Sequence, residues 1–302
     1  MLLLGVLAAQ AEGAASVAGA AYFGGPATTV DKLLFADDTL STLGTGLSEN
    51  RDQSAAYSNT GVAGYFAGGG IGVSNANKYT FPSETRSTLT GVLSIGRVGL
   101  AGFANYGTAG YAGGGYDGTR RTTVDKLAFP GDTSSTLASG LSSARSSPGG
   151  MADKDVAGYI GGGNTPANTT TVDKWAFTAD TRTTLGTGLS NAKNNLAGMS
   201  NNAVAGYLGG GNNAGTFYDT VDKFAFPSDT RSTLGTGLSA VRFALSAAAK
   251  TNVAGYFAGG LTTGSAAVST VDKFAFPSET RTTLGAGISS ARSSLSGMAN
   301  EG

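Results

Sequence analysis

One phrase recurs six times along the chain, and a fixed period of this kind confines it to a repeat architecture. The clearest copies read TVDKWAFTADTRTTLGTGLSNAK from Thr171, TVDKFAFPSDTRSTLGTGLSAVR from Thr220 and TVDKFAFPSETRTTLGAGISSAR from Thr270. Weaker copies begin at Thr29, Asn75 and Thr123. Their central lysines, Lys32, Lys78, Lys126, Lys174, Lys223 and Lys273, stand 46, 48, 48, 49 and 50 residues apart, so six copies fill almost all of the 302 residues.

Each copy divides into four short segments. The first follows a basic residue, as from Arg97 to Ala104 and from Arg292 to Ala299, and its small and apolar residues suit a crowded inner strand. The second reads Val-Ala-Gly-Tyr and ends in glycines, as from Val204 to Gly211; its β-branched and aromatic residues favour a strand that the glycines stop. In the third, Val221, Lys223 and Ala225 alternate with Asp222, Phe224 and Phe226, the period of a strand. The fourth, Thr230 to Leu234, follows a Pro-Ser-Asp turn. No window free of Gly, Pro or Thr clusters reaches the length of roughly ten residues that a helix needs. Four strands per copy in six copies predict an all-β, six-bladed propeller whose blades bury their faces against one another. An inner-strand pattern follows Arg51, Arg97, Arg145, Lys193, Arg242 and Arg292. The last of these serves a sixth blade only if it turns back to the blade that starts near Val17, so the expected ring is closed by its C-terminal strand.

In Tyr207 with Gly209 and Gly210, the strand Val221 to Phe226, Arg231 with Leu234, and Arg242, the chain resembles kelch-type repeats. It departs from them at Leu40, Arg86, Ser134, Arg182, Arg231 and Arg281, where that family usually carries Trp. The glycine- and threonine-rich wording, with TVDK and near-identical copies, is similar to kelch-like proteins of phages of marine and cyanobacterial hosts. That resemblance implies a non-enzymatic virion protein at the tail or on the capsid surface, used for host attachment or capsid decoration. Its implied partners are other virion proteins, further copies of itself or a host-surface glycan. A cytoplasmic kelch-type interaction module is the alternative, and a sugar-acting propeller enzyme the third reading.

Composition narrows the chemistry. There is no His and no Cys, which excludes disulfides, thiolate nucleophiles, imidazole bases, Cys/His zinc sites and the His-ligated copper of kelch-type oxidases. No cofactor, metal site or catalytic residue is expected. Twenty basic residues cancel 20 acidic ones, leaving no basic footprint for nucleic acid. The six lysines, mid-strand between Val and apolar neighbours, must find anions to offset desolvation. Each copy supplies an acid in its third turn: Asp38, Glu84, Asp132, Asp180, Asp229 or Glu279. Six identical sites suit structural pairing, since catalysis needs different groups in different roles. The glycine runs precede no helix and close with no Gly-Lys-Ser/Thr, so they are strand ends and not phosphate loops.

The copies differ in the loop after those glycines. There Tyr116, Asp117, Arg120 and Arg121, and Asn212, Asn213, Phe217, Tyr218 and Asp219, offer aromatic planes beside hydrogen-bonding groups, the candidate ligand face on a rigid scaffold. Residues 1–15 form an apolar segment too short for a membrane span, in which Leu2, Leu3, Leu4, Val6 and Leu7 are candidate partner-docking residues. Residues 16–302 are expected to be a single propeller.

Overall fold

The computed structural model describes residues 19–302. The docking residues Leu2, Leu3, Leu4, Val6 and Leu7, and the arm expected over 1–15, lie outside them. Six four-stranded antiparallel sheets stand in a ring, and the chain has the predicted all-β, six-bladed propeller fold. From the axis outwards, blade 1 is Ser296–Asn300, Ala20–Gly24, Val30–Leu34 and Leu40–Thr42. Blade 2 comprises Ala55–Asn59, Ala63–Ala67, Ala76–Thr80 and Thr85–Leu89, and blade 3 Ala101–Asn105, Ala109–Gly113, Val124–Ala128 and Thr133–Thr136. Blade 4 comprises Gly149–Asp153, Ala157–Gly161, Val172–Ala176 and Thr181–Thr184. Blade 5 is Ala197–Asn201, Ala205–Gly209, Val221–Ala225 and Thr230–Thr233, and blade 6 Ser246–Lys250, Ala254–Ala258, Val271–Ala275 and Thr280–Thr283.

Ring closure runs through the C-terminal strand as its sequence pattern required. Ser296–Asn300 pairs antiparallel with Ala20–Gly24, in register from Ala20 opposite Asn300 to Gly24 opposite Ser296. It also binds the next blade. Ser54 Oγ donates to Ser296 Oγ at 2.9 Å, and the Gly61 amide to Asn300 Oδ1 at 2.7 Å. No sheet edge is left open at the seam.

Glycine sets how close the inner strands come. A Cβ on Gly102, Gly150, Gly198 or Gly297 would collide with the backbone carbonyl of Ala56, Gly102, Gly150 or Ala247 in the preceding blade. The second strands are buried along their whole length, and each packs Tyr and its apolar neighbours between blades.

In five of the six blades a charged pair ties the inner strand to its own third strand. The aspartate of TVDK is buried in five blades and meets the basic residue that opens the inner strand. Arg97 reaches Asp125 at 2.9 Å and Arg145 reaches Asp173 at 3.0 Å. Lys193 lies 3.5 Å from Asp222, while Arg242 and Arg292 grip Asp272 and Asp31. Outer-strand threonines complete these carboxylates, as Thr136 does at 2.7 Å and Thr184 at 2.6 Å. A buried charge persists only when paired and hydrogen-bonded, as here. In blade 2 the acid is replaced by Asn77, and Arg51 takes Glu49 instead at 3.1 Å.

Removing residues 292–302 strips blade 1 of its inner strand and bares both flanking blades. The expected outcome is loss of the cooperative thermal transition in circular dichroism. A truncated chain that melts like the full-length protein would show that the ring closes elsewhere.

Candidate functional site

The most regular cluster of ionisable groups is the ring of lysines, and it is structural. Within each blade a second-strand tyrosine stands directly opposite the third-strand lysine, as Tyr65 opposite Lys78 and Tyr207 opposite Lys223. Both reach the turn acid of the next blade. The Nζ distances are 2.6 Å for Lys32 to Glu84, 2.5 Å for Lys78 to Asp132 and 2.6 Å for Lys126 to Asp180. Lys174 to Asp229, Lys223 to Glu279 and Lys273 to Asp38 are each 2.6 Å, the last crossing the seam. The hydroxyls of Tyr22, Tyr65, Tyr111, Tyr159, Tyr207 and Tyr256 donate to the same six acids at 2.6 to 3.0 Å. Each tyrosine ring also stacks on an aromatic residue of that next blade, as Tyr159 on Phe226 at 5.4 Å and Tyr256 on Phe35 at 5.7 Å. Every acid is thus engaged by a lysine and a tyrosine of the preceding blade.

Hydrogen bonds join the blades at both mouths of the central channel. Gln53, Gly99, Ser147, Asn195, Ala244 and Ser294, each two residues beyond the basic residue of its blade, form a ring of backbone hydrogen bonds. Each amide donates to the preceding blade's carbonyl at 2.6 to 3.1 Å. The Gln53 side chain crosses this mouth. Its Nε2 donates to Asn195 Oδ1 of the opposite blade at 2.7 Å, and Ser147 Oγ donates to its Oε1 at 2.9 Å. At the other mouth Glu301 accepts from the Thr251 amide and hydroxyl, both at 3.2 Å, and from Tyr106 at 3.4 Å. Between them lie two cavities of about 70 and 80 Å³, room for on the order of five waters each.

The variable loops all lie on the Gln53 mouth's face. In blade 3, Tyr116 is 38% exposed and pairs through its backbone with Val98 and Arg120. Asp117 is gripped by Arg121 Nε and Nη2 at 2.7 to 3.0 Å, which holds its carboxyl down at about 2. In blade 5, Asn212–Asn213 and Thr216–Phe217 form a two-residue ribbon. Phe217 stacks on Phe243 at 5.0 Å, and the Tyr218 ring lies 5.9 Å from Lys193 Nζ; Asp219 is exposed. Burial lowers the pKa of Lys193, with Asp222 opposing that shift.

The blade 4 loop joins the two groups. Arg120 donates to Asn164 Oδ1. Asn164 Nδ2 donates to Asn168 Oδ1 at 2.9 Å, and Asn168 Nδ2 donates to the Asn212 carbonyl at 2.8 Å and to Asn213 Oδ1 at 3.1 Å. Asn195 Nδ2 continues to Asn212 Oδ1 at 3.1 Å, which leads to Gln53. Asn164 and Asn168 delimit one of the loops that differ between copies, and Asn195 and Gln53 join them through these bonds. Their signal was the same as for the loops: positions that differ between copies of an otherwise repeated framework. Elsewhere on this face Ile71 and Ile95 are 64% and 39% exposed, and the adjoining Gly72 amide donates to the Gly96 carbonyl at 3.2 Å. The opposite face carries the hairpin turns with exposed Val62, Val156, Val204 and Val253.

The chain shares its fold with YjhT. It matches that solved structure with a TM-score of 0.71 over 87% of its own length and 94% of YjhT, at 15% identity. The likeness to YjhT is one of fold alone. No protein-family model matches the sequence, and no curated protein matches it. Among the described residues there is no group of three or more acids that could hold a metal ion, and no helix long and apolar enough to cross a membrane.

The tyrosine, lysine and acid contact at each blade boundary acts as a latch and makes a prediction about alkaline pH. Burial, then the adjoining carboxylate, raises the six latch tyrosines above their ordinary value of 10.0. The unfolded chain therefore loses these protons first, so their contribution is complete below about pH 10 and is lost as pH rises beyond it. Melting temperature should fall steeply above that point, with most tyrosinate absorbance appearing only on unfolding. Full tyrosine titration in a still-folded ring would contradict the latch.

Proposed function

We propose that this chain is a non-enzymatic attachment protein of a phage particle, a tail or capsid-surface component whose propeller presents its loop face to a protein or a host-surface glycan. The observation that carries the reading is the contrast within the fold. Framework strands and the tyrosine, lysine and acid contacts repeat around the ring, and the buried pairs do so in five blades, while every difference of length between the copies falls in the second-to-third-strand loops of one face. A rigid scaffold bearing divergent loops is the arrangement of a binding module. The virion assignment is supported by the resemblance of the repeats to kelch-like phage proteins.

The geometry of the loop arc favours binding over chemistry. Glycoside hydrolysis needs two carboxylates in distinct roles. In the arc Asp117 is engaged by Arg121, which leaves Asp219 as the exposed acid.

Two measurements test the proposal together. Antibody raised to the propeller should decorate purified particles, and the isolated propeller should block their adsorption to host cells. Replacing Tyr116, Phe217 and Tyr218 together by Ala should weaken that blockade about tenfold or more, equivalent to roughly 1.4 kcal/mol. A propeller that labels no particle and blocks no adsorption would overturn the attachment reading. Blockade unchanged in the triple variant would remove the loop face from it.

A further inference from the structure

We infer that the asparagine arc from Arg120 to Asn213 is a subsite for a neutral, hydroxyl-rich saccharide. The inference rests on the attachment reading of the loop face and names its ligand class. Its first ground is the type of polar group gathered there. Three loops from different blades converge, and what they bring together is a chain of carboxamides: Asn164, Asn168, Asn213 and Asn212. A carboxamide offers a donor and an acceptor side by side, which matches a sugar hydroxyl acting as both.

The second ground is how the arc is held. Asn164 Nδ2 donates to Asn168 Oδ1, and Asn168 Nδ2 to the Asn212 carbonyl and Asn213 Oδ1, which fixes both amides and leaves the free capacity of the arc at its blade 5 end. Asn213 accepts from Asn168 through Oδ1, and among the described residues its Nδ2 donates to no protein group. Arg120 is fixed by its bond to Asn164. A preorganised array of this kind gains affinity because little side-chain freedom is lost on binding.

Charge and shape exclude the rival classes. Asp117 and Arg121 neutralise each other, and Arg120 and Asp219 add one charge of each sign, so the three loops carry no net charge to select an anion. The exposed aromatic surface is Tyr116 at one end, a flat apolar face of the sort on which a pyranose ring lies. Large apolar anchors for a protein partner sit elsewhere on this face, at Ile71 and Ile95.

The test is binding of the full-length protein to a printed array carrying neutral hexose and N-acetylhexosamine oligosaccharides beside sialylated and sulfated ones, with and without added salt. Neutral glycans should bind, with little effect of salt. Asn213→Ala and Tyr116→Ala should each weaken that binding about tenfold or more while melting as the parent does, and Ile71→Ser should leave it unchanged. Binding confined to charged glycans and abolished by salt would overturn the inference in favour of an anionic ligand. Loss on Ile71→Ser with the arc variants unaffected would overturn it in favour of a protein contact. Blockade of host-cell adsorption with no glycan bound would overturn the saccharide alone and leave the attachment reading standing, whereas failure of both would remove both.

Discussion

One carboxylate at each blade boundary holds the ring to its shape. It sits in a turn whose backbone is left-handed at that residue, with φ between 50° and 60°, and so aims its side chain back at the preceding blade. There it meets a lysine and a tyrosine that face each other across two strands. The same contact is repeated six times, the last across the seam from Lys273 to Asp38, so every blade meets the next through the same set of side-chain types. A partly exposed pair of this kind contributes little singly. Its worth lies in geometry, since the stacked tyrosine and the shared acid fix angle and register together.

That regularity decides where function can reside. Inner strands drawn together at glycine leave a narrow channel, and the residues at its mouths are spent on one another across it. Buried charges are likewise consumed, each Asp of the repeat by the basic residue of its own blade. What remains free to vary without disturbing the ring is the set of connections on the Gln53 face. Blade 5 shows how far that freedom goes: its loop grows into a short ribbon, and Lys193 replaces the arginine of the other blades beneath Tyr218.

The strands and the closure were legible because both are local patterns. Alternation around Lys223, the glycines after Tyr207 and the surplus inner-strand wording after Arg292 each name a strand without reference to its neighbours. The lysines' need for anions was also legible, but not that each anion belongs to the next blade, since Lys78 and Asp132 are 54 residues apart and only the ring brings them together. Burial of Asp222 was missed for a related reason. Alternation placed it on one face with Phe224, and the partner that makes an acid tolerable there, Lys193, precedes another strand. In the candidate site, Tyr116 and Asn213 were named for their chemistry, whereas Asn164, Asn168 and Gln53 acquire meaning only from the bonds that connect blades.

The central claim is that a repeated frame carries a binding surface on one face alone. Hydrogen exchange of the propeller, free and bound to host-cell envelope, tests it most directly. The account predicts protection in the loops at 116–121, 164–168 and 212–218, with the framework strands unchanged. Protection confined to the hairpin turns around Val62, Val156, Val204 and Val253, or to the inner strands lining the channel, would contradict it.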